Sequence, residues 1–163
     1  EWLPQENILF AGAGVSIATE VRLEPRARFL GWEIHCLGRP AIGERFSHGR
    51  ADFRLTLLRD GPLLCERLPV CGDQLLDAAT GLRGYPVTGT FLASRAGQED
   101  LARTRACLPK RSLSAATLVD GVLIARCLHH SSERIRQIFT ALWAMLRPAL
   151  LGRAPCPPRI WAT

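Results

Sequence analysis

The sequence lacks the features that mark membrane-embedded or exported proteins. No uninterrupted apolar run approaches the roughly 20 residues that a helix needs to cross a bilayer, so we expect no transmembrane segment. The opening residues, Glu1-Trp2-Leu3-Pro4, show no charged stretch followed by an apolar one. We therefore expect neither a signal peptide nor a membrane partner.

Motifs for metal binding and catalysis are missing as well. The six cysteines contain no Cys-x-x-Cys pair, so we expect buried or inert thiols and no structural zinc site. Gly12-Ala13-Gly14 lacks the third glycine of a dinucleotide-binding loop and precedes a predicted strand. No Gly-x-Ser-x-Gly segment is present, and no triad or metal-pair spacing links His35, His48, His129 and His130. These absences predict a protein that is not an enzyme.

Lysine is nearly absent, although the chain is basic. Lys110 is the only lysine, and 21 basic against 15 acidic residues give a net charge of +6. This excess permits attraction to nucleic acid, to an acidic membrane or to an acidic protein, and an arginine-rich sequence also arises from coding bias. A basic nucleic-acid-binding module is therefore an alternative function. Against it, the arginines are spread over every predicted element without the interleaved aromatic residues of a base-stacking surface.

The remaining composition is ordinary for a folded protein. The chain has 163 residues, of which 47% are apolar and 22% charged. This length is enough for one domain with a buried core, and we expect a single domain over residues 1–163.

Residues 1–95 are predicted to be mostly β. Apolar residues either alternate with polar ones or predominate in the segments 15–23, 28–37, 44–58, 63–70 and 85–93, as is typical of strands. The run 28–37 is apolar on both parities, which predicts a strand covered on both faces. Asp60-Gly61 predicts a hairpin turn, and the short turns between these runs favour antiparallel pairing.

Residues 96–163 are predicted to contain a short helix, a β-hairpin, a long helix and an extended tail. The helices cover residues 98–108 and 132–150, and the hairpin covers 117–127. Ser131 or Ser132 is expected to cap the long helix, and Pro148 to kink or end it near Arg147. The fold class is thus α+β and mainly β, with layered antiparallel or mixed sheets and two helices, the longer one near the C-terminus.

Two carboxylates lie on strand faces that otherwise carry apolar residues. Glu66 shares parity with Leu64 and Leu68, and Glu33 lies mid-strand on the same side as His35. A buried charge is unfavourable unless it is paired, hydrated or bound to a cation. Two interpretations stay open: an arginine salt bridge or an exposed strand, and a carboxylate that lines a water-filled path or holds a divalent cation.

Several blocks together resemble the UreD family of urease accessory proteins, also called UreH. In order along the chain they are Glu1-Trp2-Leu3-Pro4-Gln5-Glu6, Cys36-Leu37-Gly38-Arg39-Pro40-Ala41-Ile42-Gly43-Glu44, Phe46-Ser47-His48-Gly49, Leu146-Arg147-Pro148, and Pro158-Arg159-Ile160-Trp161-Ala162-Thr163. The chain resembles the C-terminal three-fifths of a longer family member, so an N-terminally truncated UreD-type domain is expected. Ala11 to Ile17 lacks an arginine usual in the family, and residues 81–97 match only loosely.

The resemblance implies a cytoplasmic, non-catalytic assembly factor with a mainly β fold. Family members bind apo-urease and, with the UreF and UreG accessory proteins, deliver nickel, so the implied metal is an ion in transit and no cofactor is held tightly. They are thought to pass nickel through an internal tunnel partly lined by acidic residues. The positions that match are Glu33 and Glu66, which the resemblance assigns to a nickel path.

Overall fold

A computed structural model describes residues 1–110 and 113–162, so Thr163 of the terminal sequence block lies outside the described residues. The chain is mainly β, with nine strands and three α-helices in the described ranges. The elements in chain order are β1 (Asn7–Leu9), β2 (Gly14–Arg22), β3 (Leu30–Arg39), β4 (Glu44–Arg45), β5 (Arg50–Leu58), β6 (Pro62–Cys71), α1 (Gln74–Asp77), β7 (Val87–Ser94), α2 (Gln98–Cys107), β8 (Leu113–Val119), β9 (Val122–His129) and α3 (Ser132–Leu151). The predicted fold class is confirmed.

The strands form two sheets. The larger sheet has the order β1-β3-β7-β9-β8, with β4 added to one end of β3, and the smaller sheet has the order β2-β5-β6. The β5–β6 and β8–β9 hairpins are antiparallel, as the Asp-Gly turns predicted. The expectation of antiparallel neighbours is wrong for β1–β3 and β2–β5, which pair in parallel. The reason is that β2 belongs to the smaller sheet and the next strand, β3, belongs to the larger one. When the chain comes back to the smaller sheet as β5, it runs beside β2 in the same direction.

Three layers result. On one face of the larger sheet, α3 packs across β3, β7 and β9, and α2 packs against β8. The smaller sheet covers the opposite face, because two apolar clusters each combine residues of both sheets. Strand β3 is therefore buried on both faces along almost its whole length, as its sequence predicted.

The long helix α3 presents one apolar stripe to the larger sheet. Its buried residues are Ile135, Ile138, Phe139, Leu142, Trp143, Leu146 and Leu150. The Ser131 hydroxyl caps the first turn by accepting from the Arg134 amide. Of the two outcomes expected at Pro148, an end near Arg147 does not occur, since Pro148 lies inside the helix and Gly152, at φ 66°, ends it after Leu151. Burial of Leu150 holds this last turn on the sheet.

The C-terminal tail returns to the aromatic core. The Trp161 ring lies 5.4 Å from the Trp32 ring and 5.3 Å from the Trp143 ring, centroid to centroid, so Trp161 anchors the tail. The prediction that the whole tail is extended is wrong, because Arg159–Ala162 form a 3-10 helix. The Trp161 amide donates to the Pro158 carbonyl, and the fixed φ of proline suits the start of such a turn.

Within the described residues, no helix has both the length and the apolarity needed to cross a membrane.

Candidate functional site

A cavity of about 660 Å³ lies between the two sheets. It separates the two apolar clusters that join the sheets, one around Leu37 and Phe46 and the other around Leu57 and Ile124. Its wall is partly apolar and partly polar, and the polar side chains come from both sheets. They include Glu33, His35, Thr88, Thr90, Glu66 and Arg126, and Arg54, Arg67 and Ser114 also line the cavity. Both carboxylates that the sequence singled out, Glu33 and Glu66, therefore line the same cavity.

Strand register explains why these residues meet. In the larger sheet Glu33 lies directly opposite Thr90, and Thr90 lies directly opposite Arg126. Directly opposed residues project from the same face of a sheet, so these three side chains form one row towards the smaller sheet. Adjacent strands lie about 4.8 Å apart, which places Glu33 and Arg126 about 10 Å apart at the two ends of the row.

The smaller sheet carries a matching row. Thr19 lies opposite Leu55, and Leu55 lies opposite Glu66. The two rows face each other, and contacts across the cavity join both ends. The Thr19 hydroxyl donates to Glu33 Oε1, and Arg126 forms an ion pair with Glu66. Glu33 and Glu66 thus occupy diagonally opposite ends of the cavity.

Glu33 marks the buried end. Only 7% of the residue is exposed. Oε1 accepts from Thr19, and Oε2 lies 3.6 Å from His35 Nε2. None of the ion pairs among the described residues joins Glu33 to an arginine, and its ionisable neighbour there is His35.

His35 is held rigidly beside Glu33. Its ring stacks on Phe53 with 3.9 Å between the centroids. Its Nδ1 atom lies 3.3 Å from the Asn7 side-chain amide nitrogen, and its Nε2 atom faces Glu33. The imidazole and the carboxylate therefore present one nitrogen and two oxygens at the buried end.

Glu66 and Arg126 mark the accessible end. Their side chains are 25% and 50% exposed, respectively, and their ion pair spans the two sheets. At Glu66 the salt-bridge interpretation is therefore correct, and the same carboxylate also lines the cavity. Partial burial lowers the pKa of the Arg126 guanidinium, because removal from water penalises its charged form.

Thiols contribute little to this site. Cys127 borders the cavity, but its side chain belongs to the apolar core beneath α3, and burial raises the pKa of its thiol to about 12, so it is a poor metal ligand. Within residues 1–110 and 113–162, no group of three or more His, Cys, Asp or Glu side chains is arranged to hold a metal ion. Glu33 and Glu66 line the cavity separately, one near each end.

Eight of the 20 arginines form ion pairs with carboxylates within the described residues. Ion pairs with carboxylates involve Arg22, Arg39, Arg45, Arg54, Arg67, Arg126, Arg136 and Arg147. These arginines lie on strands of both sheets and on α3, and their pairing reduces the positive potential that a nucleic-acid-binding face requires.

Sequence reasoning missed three side chains of the site, which are Thr19, His35 and Arg126. His35 could have been found from the sequence, because it lies two residues after Glu33 and therefore on the same face of the strand. Thr19 and Arg126 had no such signal, since their position opposite the carboxylates depends on how two sheets stack.

Comparison with known proteins gives a consistent family match. The model of the family described as "UreD urease accessory protein" matches residues 1–162. A urease accessory protein UreD of Pseudomonas putida (strain W619) is 46% identical over the whole chain, and those of Pseudomonas aeruginosa (strain UCBPP-PA14) and Alcanivorax borkumensis are 45% and 42% identical. The chain spans between 57% and 59% of the length of these three relatives.

Proposed function

The chain belongs to the UreD family of urease accessory proteins, and we propose that it serves urease maturation as an assembly factor. In this role it makes and breaks no covalent bond. It binds apo-urease together with the UreF and UreG accessory proteins in the cytoplasm, and UreG supplies the GTPase activity. The family match over residues 1–162 supports this assignment.

The cavity between the sheets is proposed to form part of the route by which nickel reaches urease. The observation that carries this proposal is the meeting of Glu33 and Glu66, 33 residues apart in sequence, in one cavity wall. Carboxylate oxygens and imidazole nitrogen are suitable ligands for a borderline divalent cation such as Ni²⁺. Because the ligands are divided between the two ends of the cavity, the ion would bind only briefly at each end. Brief binding suits an ion that must be released.

The two ends of the cavity differ in burial, and this difference gives the proposed nickel route a direction. The Glu66 end is accessible to solvent, whereas Glu33 is buried beneath the smaller sheet. An ion that enters at Glu66 would move about 10 Å to reach Glu33, a distance set by two strand spacings. Thr88 and Thr90 line the path between them with hydroxyl groups that can replace water ligands.

Neutral variants of the two carboxylates test this route. We expect Glu66→Gln and Glu33→Gln in the complete protein to lower the nickel content of co-expressed urease by roughly three- to tenfold, as for the loss of about 1 kcal/mol of ion binding. Nickel is measured by elemental analysis of purified urease, together with its activity.

Glu20→Gln is the matched control, because Glu20 lies on β2 in an exposed pair with Arg22, away from the cavity wall. Normal nickel content with both cavity variants would refute the carboxylate route. Loss of apo-urease from a pull-down with these variants would instead assign Glu33 and Glu66 to the binding surface.

A further inference from the structure

The accessible end of the cavity already contains a cation. Arg126 is the one exposed residue in the segment Val122–Cys127 of β9, and its side chain crosses to Glu66 on the other sheet. The guanidinium lies at the place where an entering cation would meet its first carboxylate. An ion that binds Glu66 Oε1 therefore competes with an existing ion pair.

The two carboxylates differ in the charge of the group that already contacts them. Glu66 is paired with a full positive charge, whereas Glu33 accepts from the neutral hydroxyl of Thr19 and faces His35. A guanidinium competes for a carboxylate through charge as well as hydrogen bonds, while a hydroxyl competes through one hydrogen bond only. Binding at Glu66 is thus opposed by a competitor that binding at Glu33 does not meet.

We infer that Arg126 is an exchangeable counter-cation that sets the affinity of the cavity entrance for divalent ions. This inference rests on the proposed nickel route and assigns a specificity-determining residue to it. When Ni²⁺ reaches Glu66, the guanidinium leaves the carboxylate and turns towards solvent, where half of its side chain already lies. When the ion moves on, Arg126 pairs with Glu66 again.

This exchange has two effects on transport. A monovalent ion carries no more charge than the guanidinium and lacks its directed hydrogen bonds, so it does not displace Arg126 effectively. A divalent ion attracts the carboxylate twice as strongly at equal distance, so it competes. The returning guanidinium also weakens the hold on the ion, which favours its release from the entrance.

Nickel titration of the complete protein tests the exchange. We expect Arg126→Gln to tighten Ni²⁺ binding by about three- to fivefold in isothermal titration calorimetry with nickel sulfate, because the variant removes a competing half-exposed ion pair. Glu66→Gln should weaken binding. In the double variant Arg126→Gln/Glu66→Gln, the loss of Arg126 should no longer tighten binding, since both residues act on the same ion pair.

Further variants separate charge from structure. Arg126→Lys keeps a positive charge and should bind Ni²⁺ within about twofold of the unchanged protein, while Arg126→Met keeps the aliphatic stem and should behave as Arg126→Gln does. Arg22→Gln is the control, because it removes an exposed arginine pair on β2. Circular dichroism and the thermal midpoint establish that each variant is folded, and tightening in either neutral variant supports the exchange.

The outcomes distinguish the inference from the proposed route. If Glu66→Gln weakens Ni²⁺ binding but neither neutral variant of Arg126 tightens it, Arg126 has a structural role and the exchange is refuted, while the route remains. If Glu66→Gln binds Ni²⁺ as the unchanged protein does, both the route through Glu66 and the exchange are refuted.

Discussion

Cys36 and Cys127 show how burial decides the chemistry of single side chains in this protein. Both are buried, and burial raises the pKa of their thiols to about 11 and about 12. The thiolate form, which reacts and binds metals, is therefore almost absent at neutral pH. The other four cysteines, Cys65, Cys71, Cys107 and Cys156, are exposed.

This difference predicts the thiol reactivity of the folded protein. We expect a maleimide reagent at pH 7 to label the four exposed cysteines within minutes and to leave Cys36 and Cys127 unlabelled, with peptide mass spectrometry as the measurement. In denaturant all six should react, which is the control. Rapid labelling of Cys127 in the folded protein would show that the packing between α3 and the larger sheet opens readily.

At the same scale, the sequence pointed to two side chains of the candidate site and missed three. Strand parity was sufficient for Glu33 and Glu66, since a charged residue among apolar neighbours of one parity is visible in a single strand. Arg126 was not predictable, because its partner Glu66 lies 60 residues earlier on a strand of the other sheet. Only the stacking of the sheets brings the two charges together.

At the scale of elements, the docking of α3 depends on a glycine in the sheet beneath it. A Cβ atom at Gly89 of β7 would lie 2.7 Å from Ile135 Cγ2 and 2.8 Å from Phe139 Cε2. Both distances are far below ordinary carbon contacts. The absence of a side chain at Gly89 therefore allows the apolar stripe of α3 to approach the sheet closely.

A methyl group at this position should push the helix away from the sheet. We expect Gly89→Ala to lower the free energy of unfolding by about 1 to 3 kcal/mol through overpacking, measured by urea denaturation. Gly14→Ala is the matched control in β2, because its Cβ meets no atom within 4 Å, and it should change stability by less than about 0.5 kcal/mol. Equal stability of the two variants would contradict the close approach.

Whether a helix or strand could be predicted depended on its length and on whether the sequence signals for it lie close to it in the chain. Helices α2 and α3 were predicted within one residue of their ends, because their periodicity and the residues that cap or stop them lie within or next to each segment. The three-residue β1 and the four-residue α1 were missed, since neither is long enough to show a period. The parallel pairing of β2 with β5 was missed because pairing direction has no local signal.

At the scale of the whole molecule, ionised carboxylates contribute to the stability of the folded state. Hydrogen bonds from Arg147, Arg67 and Arg136 hold the pKa values of Glu1, Asp52 and Glu133, respectively, below their ordinary values of 4.5 for Glu and 3.8 for Asp. The unfolded chain therefore takes up protons at a higher pH than the folded chain. This contribution is complete above the ordinary values and is lost as pH falls through the lowered ones.

Acid should accordingly destabilise the protein. We expect the urea midpoint to change little between pH 7 and pH 5 and to fall steadily below about pH 4.5, measured by fluorescence of the tryptophans. Arg147→Gln should reduce the difference between pH 7 and pH 3, because Glu1 then loses the partner that lowers its pKa. A midpoint that rises on acidification would contradict the role of these pairs.

The parallel pairing of β2 with β5 also bears on the order in which the chain folds. Each residue of β2 pairs with one 36 positions later, as Gly14 does with Arg50, whereas β5 and β6 are joined by a tight hairpin. Closing the longer loop loses more chain entropy, so we expect the hairpin to form first and β2 to add to its edge afterwards. Since β2 carries Thr19, the contact that holds Glu33 would be among the last to form, and a nascent chain would complete its candidate nickel path only at the end of folding.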